Sequence, residues 1–118
     1  KGFVLKIPFQ FFGKDESHTM SLLQRDVHNG WDILLNGRAV GQLKRNTKDQ
    51  VTSLAIPVGV LRKGDNELVI RAGASNKEDD IEVGRIRLLA GDGAPTLIHS
   101  LEVIREGAKK VASQPKGR

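Results

Sequence analysis

The chain has 118 residues, 38% of them hydrophobic and 28% charged, with no cysteine and a formal net charge of +5. That length suits one domain with a core of its own, and no segment approaches the roughly 18 apolar residues of a membrane-spanning helix. Disulfides and thiolate metal sites are excluded, while the redox compartment stays open.

The chain opens at Lys1 with neither an initiator Met nor a charged-then-apolar leader, so it reads as a cleaved or excised piece of something longer. Phe3, Leu5, Ile7, Phe9 and Phe11 recur at every second position, the period of a strand with one apolar face. Pro8 has no N–H to give to a ladder, which places this strand at a sheet edge or at a bulge. Gly13 to Ser17 is a polar loop, and Thr19 to Val27 is a second strand with Met20 and Leu22 or Leu23 inward. Asp26 to Gly30 turns the chain into Trp31-Asp32-Ile33-Leu34-Leu35, where Trp31, Ile33 and Leu35 share a face. Asn36-Gly37 then supplies the two positive-φ positions of a type I′ turn, so Val40 to Leu43 should run back beside the Trp31 strand.

Lys44 to Gln50 is a polar connection, and Val51 to Ile56 is a strand expected to bury Leu54 and Ile56 before Pro57 ends it. Val58 to Leu61 suits one helical turn, and Lys63-Gly64-Asp65-Asn66 suits a tight turn. Glu67 to Ala72 alternates again, with Leu68 and Ile70 on one face. Ala74 to Asp80 is a polar loop ending in Glu78-Asp79-Asp80. Ile81 to Leu89 is a strand in which Gly84 marks a bulge or a close backbone approach. From Thr96 to Arg105 two readings compete: a helical stripe of Leu97, Leu101, Ile104 and Ala108, or a last strand over Leu101 to Arg105, which we favour.

Residues 109–118 carry Lys109, Lys110, Lys116 and Arg118 and no acid, so the other 108 residues hold 15 basic and 14 acidic side chains. Residues 1–108 are expected to form the folded module, and 109–118 a basic flexible tail or linker. The basicity belongs to the tail, which argues against a nucleic-acid-binding face on the body. About seven or eight short strands with frequent turn signals predict an all-β protein, an antiparallel β-sandwich of jelly-roll type.

Several pieces taken together resemble a known family. They are Asp26-Val27, Trp31-Asp32-Ile33, Leu35-Asn36-Gly37 with Val40-Gly41, Ile56-Pro57 with Leu61, and Gly64-Asp65-Asn66-Glu67-Leu68-Val69-Ile70. This stretch, Leu22 to Leu89, resembles the galactose-binding-like jelly-roll modules that accompany glycoside hydrolases and polysaccharide lyases. The resemblance implies a non-catalytic accessory domain of a larger, secreted or otherwise extracytoplasmic hydrolase, with carbohydrate and a neighbouring domain as its partners. The matching motifs are structural, and a fold by itself does not name a function.

Candidate sites are few. Trp31 shares the phase of Ile33 and Leu35, so core packing is favoured over a sugar-stacking role. Asp79 and Asp80, beside Glu78, are hard oxygen donors suited to a structural calcium ion, the one cofactor considered, although their spacing is not that of an EF-hand loop. Asp65 and Asn66 are expected to cap their own turn. His18, His28 and His99 fall on separate elements without zinc-site spacing. Nucleophile elbow, phosphate-binding glycine loop and dinucleotide fingerprint are all missing, so catalysis by this chain is not expected. Two other roles remain open: a structural or interaction domain that docks on a neighbouring domain or a second copy, using the outward-pointing Val4 and Phe12, and a polyanion binder acting through the tail by counterion release.

Overall fold

The computed structural model describes residues 4–73 and 81–90, together with the backbone of 96–97 and 104–106. The described chain is all β, in two antiparallel sheets forming a β-sandwich. In chain order the strands are β1 (Val4–Phe11), β2 (His18–Arg25), β3 (Trp31–Leu35), β4 (Arg38–Gln42), β5 (Gln50–Ile56), β6 (Gly64–Ala72), β7 (Ile81–Leu89), β8 (Thr96–Leu97) and β9 (Ile104–Glu106). One sheet has the order β1-β6-β3-β4. The other has β5-β2-β7, with β8 and β9 both pairing to β7. Apart from the β3–β4 hairpin, every connection from β1 to β7 passes from one sheet to the other. Neither sheet can therefore form without its partner, and each contributes one face to a shared core.

Alternation in the sequence becomes inside and outside. Ile7, Phe9 and Phe11 of β1, Met20 and Leu22 of β2, Trp31, Ile33 and Leu35 of β3, and Leu68 and Ile70 of β6 are all buried. The Trp31 ring has no solvent exposure, in keeping with a core residue. Asn36 (φ 52°) and Gly37 (φ 83°) form the expected two-residue turn between Leu35 and its partner Arg38. β1 lies at a sheet edge in unbroken register with β6, and Pro8 faces Glu67 there, so the edge reading holds and the bulge reading does not.

The bulge expected at Gly84 is present, with the left-handed conformation on the next residue, Arg85 (φ 51°). Ser21 pairs with Arg87 and Leu23 with Gly84, so two residues of β7 oppose Leu22 alone. This extra residue shifts the side-chain phase by one. Ile81 and Val83 before it, and Ile86 and Leu88 after it, are consequently all buried. A second irregularity lies in β4, where Ile33 pairs with Gly41 and Leu34 with Ala39, leaving Val40 as the extra residue.

Four expectations are corrected. Val58 to Leu61 is no helical turn: Val60 N–H donates to Pro57 O (3.4 Å) and Gly59 has φ +92°, the signature of a type II turn that a right-handed helix forbids. Leu54 is only half-buried, because β5 is an edge strand and Leu54 packs across the gap to β4. β6 begins at Gly64 rather than Glu67, since Phe11, Gln10 and Phe9 of β1 extend the ladder over Gly64 to Asn66. Asp65 does not cap its turn; its Oδ1 accepts from Gln10 Nε2 across the β1–β6 pair (2.9 Å).

Asn66 does brace its turn. Its Nδ2 donates to Arg62 O (2.8 Å) and Gly64 O (3.0 Å), and its Oδ1 accepts from Arg62 N–H (2.8 Å). Near the carboxyl end, Thr96–Leu97 and Ile104–Glu106 pair with β7, in line with the strand reading. The boundary at residue 108 and the tail lie outside the described residues.

Candidate functional site

Asp79 and Asp80, with Glu78 and His99, lie outside the described residues. Among the described residues no three His, Asp or Glu side chains cluster in a way that would hold a metal ion. His18 begins β2 and His28 follows its end, so the two imidazoles are separated by the length of that strand. His18 is buried against Phe11, the rings meeting edge-on at 5.2 Å, and its Nδ1 lies 2.8 Å from Glu16 O. His28 is exposed and 3.9 Å from Asp26 Oδ1. Val4 and Phe12 are exposed as expected, at 42% and 69%, but they stand at opposite ends of β1 and share no patch.

A concave feature among the described residues opens where the two sheets' free edges meet, β4 on one side and β5 on the other. It is a cleft of about 620 Å³. Gly41 allows the approach, since a Cβ there would fall 2.5 Å from Leu54 Cδ2. Leu43 and Leu54 give the cleft an apolar part, while Gln42, Lys44 and Arg45 give it an amide and two cations. Gly30 completes the wall next to Arg45, whose Nη2 is 3.6 Å from the point a Gly30 Cβ would occupy.

The backbone presenting those cations is held by a buried polar cluster beneath it. Gln24 points inward in phase with Met20 and Leu22 and has no solvent exposure. Its Nε2 donates to Lys44 O (2.6 Å), and its Oε1 accepts from Lys44 N–H (2.9 Å) and from the buried Thr52 Oγ1 (2.6 Å). The Gln24 amide is thus matched in one orientation only, which removes the penalty of an unsatisfied buried group. On either side, Leu43 N–H donates to Trp31 O (3.0 Å), and Val27 and Asn46 exchange two backbone bonds (3.1 and 2.9 Å). Asn46 Nδ2 reaches Gln50 Oε1 (2.8 Å) and its Oδ1 accepts from Lys48 N–H (3.0 Å), closing the rest of the connection. What reads as a polar loop is laced to β2, β3 and β5.

Nearby acids are engaged elsewhere. Asp49 and Glu82 pair with Arg25 (3.2 and 3.4 Å), and Asp32 accepts from Gln42 (3.0 Å). Among the described residues Lys44 and Arg45 form no ion pair, and both are exposed. Sequence reasoning missed this site. The available signal was Gln24, a polar residue on the inward phase of a strand, which has to find a partner.

Compared with known proteins, the chain matches no family model, no curated protein and no solved structure.

Proposed function

We propose that the chain is a non-catalytic β-sandwich module of a larger, secreted hydrolase, and that it binds carbohydrate weakly in the cleft between β4 and β5. The observation that carries this reading is the composition of the cleft on a braced backbone. The half-buried Leu54 offers apolar surface to the C–H face of a sugar ring, and the Gln42 amide suits its hydroxyls. The resemblance of Trp31 to Gly41 and Gly64 to Ile70 to galactose-binding-like modules supports an accessory role. Trp31 takes no part in binding, because its ring is in the core.

Titration calorimetry against a panel of neutral and acidic glycans tests the reading. We expect affinity in the millimolar range or tighter for one glycan, with amide shift changes confined to residues 41–45 and 54. Silence across the panel would remove carbohydrate from the account.

A second reading is favoured by one observation, the 69% exposure of the Phe12 ring at the end of β1. As an interaction domain, the module would dock this end on a neighbouring domain. Phe12→Ser should then abolish co-purification of the neighbouring domain; an unchanged complex would dismiss the idea.

A further inference from the structure

Resting on that reading of the cleft, we propose that its ligand is an acidic saccharide, whose carboxylate or sulfate is held by Lys44 and Arg45. Two adjacent exposed cations border a partly apolar cleft, and among the described residues no carboxylate neutralises them. An anionic group on the ligand supplies the missing charge. Charge-assisted hydrogen bonds of this kind are about twice as strong as neutral ones. Arg45 offers a planar fork that matches a carboxylate or sulfate, and Lys44 a point charge beside it.

The backbone that carries both cations is set before any ligand arrives. Gln24 grips both backbone polar groups of Lys44, Leu43 is tied to Trp31, and Asn46 to Val27. Binding therefore orders only side chains, which limits its entropic penalty. A cation pair serving solubility alone would need no buried glutamine and threonine under its backbone.

Nucleic acid fits the same cleft poorly. No aromatic side chain lines it to stack a base, and two cations capture few phosphates along a backbone. A sugar carrying one anionic group per ring or two matches the count of cations and the apolar surface together.

The test is calorimetry on the full chain with a galacturonate oligosaccharide, a sulfated galactose oligosaccharide and the neutral galactose oligosaccharide of equal length. We expect at least one acidic ligand to bind about tenfold or more tightly than the neutral one, with affinity falling as salt rises. The double variant Lys44→Gln/Arg45→Gln should remove that preference. Lys6→Gln, on the far edge strand, should keep it. Both cationic side chains are exposed and the Gln24 bonds use only the Lys44 backbone, so the double variant retains the fold; a thermal melt checks this. Equal binding of acidic and neutral ligands in the cleft would overturn the inference and leave the carbohydrate reading standing. Acidic binding that survives the double variant would overturn it as well. Absence of binding by all three would overturn the inference, and the wider glycan panel then decides the carbohydrate reading.

Discussion

Gln24 is the residue on which the cleft depends. A wholly buried amide is tolerated because it makes three bonds, to Lys44 N–H, Lys44 O and Thr52 Oγ1. Gln24→Leu keeps the volume and strands those three groups. It should destabilise the protein by about 2–3 kcal/mol, read as a lower midpoint in urea with an unchanged m value. Thr52→Val, which removes one donor and leaves the amide its Lys44 bonds, should cost about 1 kcal/mol in the same measurement. Equal losses for the two variants would mean that the Lys44 bonds contribute nothing.

Among the elements, the β3–β4 hairpin carries the most information per residue. Asn36 does two tasks. Its backbone takes a positive φ, and its side chain donates to Val60 O and Asn66 Oδ1 (both 2.8 Å) while accepting from Glu67 N–H (2.9 Å). The turn is therefore joined both to β6 and to the connection before it. Asn36→Gly keeps the backbone conformation and loses the bonds, for an expected loss of about 1–2 kcal/mol. Asn36→Ala loses both and should fall about 1 kcal/mol further. Denaturation of the two variants separates turn strain from side-chain bonding; identical midpoints would show that the positive φ carries no penalty.

The bulge in β7 works on the same scale, through phase rather than bonding. Without the extra residue at Arg85, Ile81 and Val83 would lie on the opposite face from Ile86 and Leu88. One inserted residue lets a nine-residue strand keep four aliphatic side chains in the core.

For the molecule as a whole, the meeting of the two free edges decides both stability and access. Gly41 lets β4 come against Leu54 of β5, and the cleft opens alongside that contact. Gly41→Ala places a methyl where Leu54 Cδ2 now sits, and Leu54 must turn aside. We expect a loss of about 1–2 kcal/mol with unfolding still cooperative, because both sheets share one core. In a Leu54→Ala background the same substitution should be nearly neutral. A penalty that persists there would locate the strain in the backbone instead.

Much of the architecture was legible in the sequence. Period-two alternation from Phe3 to Phe11 and from Trp31 to Leu35, the Asn36-Gly37 turn and the Gly84 irregularity are local features, and local sterics and burial enforce them on their own. Strand-level reading faltered where a neighbour intervened: Leu54 is half-exposed because of where β5 lies, and Asp65 turns to Gln10 because β1 runs beside it. The cleft was not legible. Gln24 lies 20 residues from Lys44 and 28 from Thr52, and nothing nearby in sequence says that they meet. Backbone conformation and facing are decided within a few residues, so composition and period reveal them. A binding surface made where two sheets abut exists only once the chain has crossed between them, and folding alone brings its parts within reach.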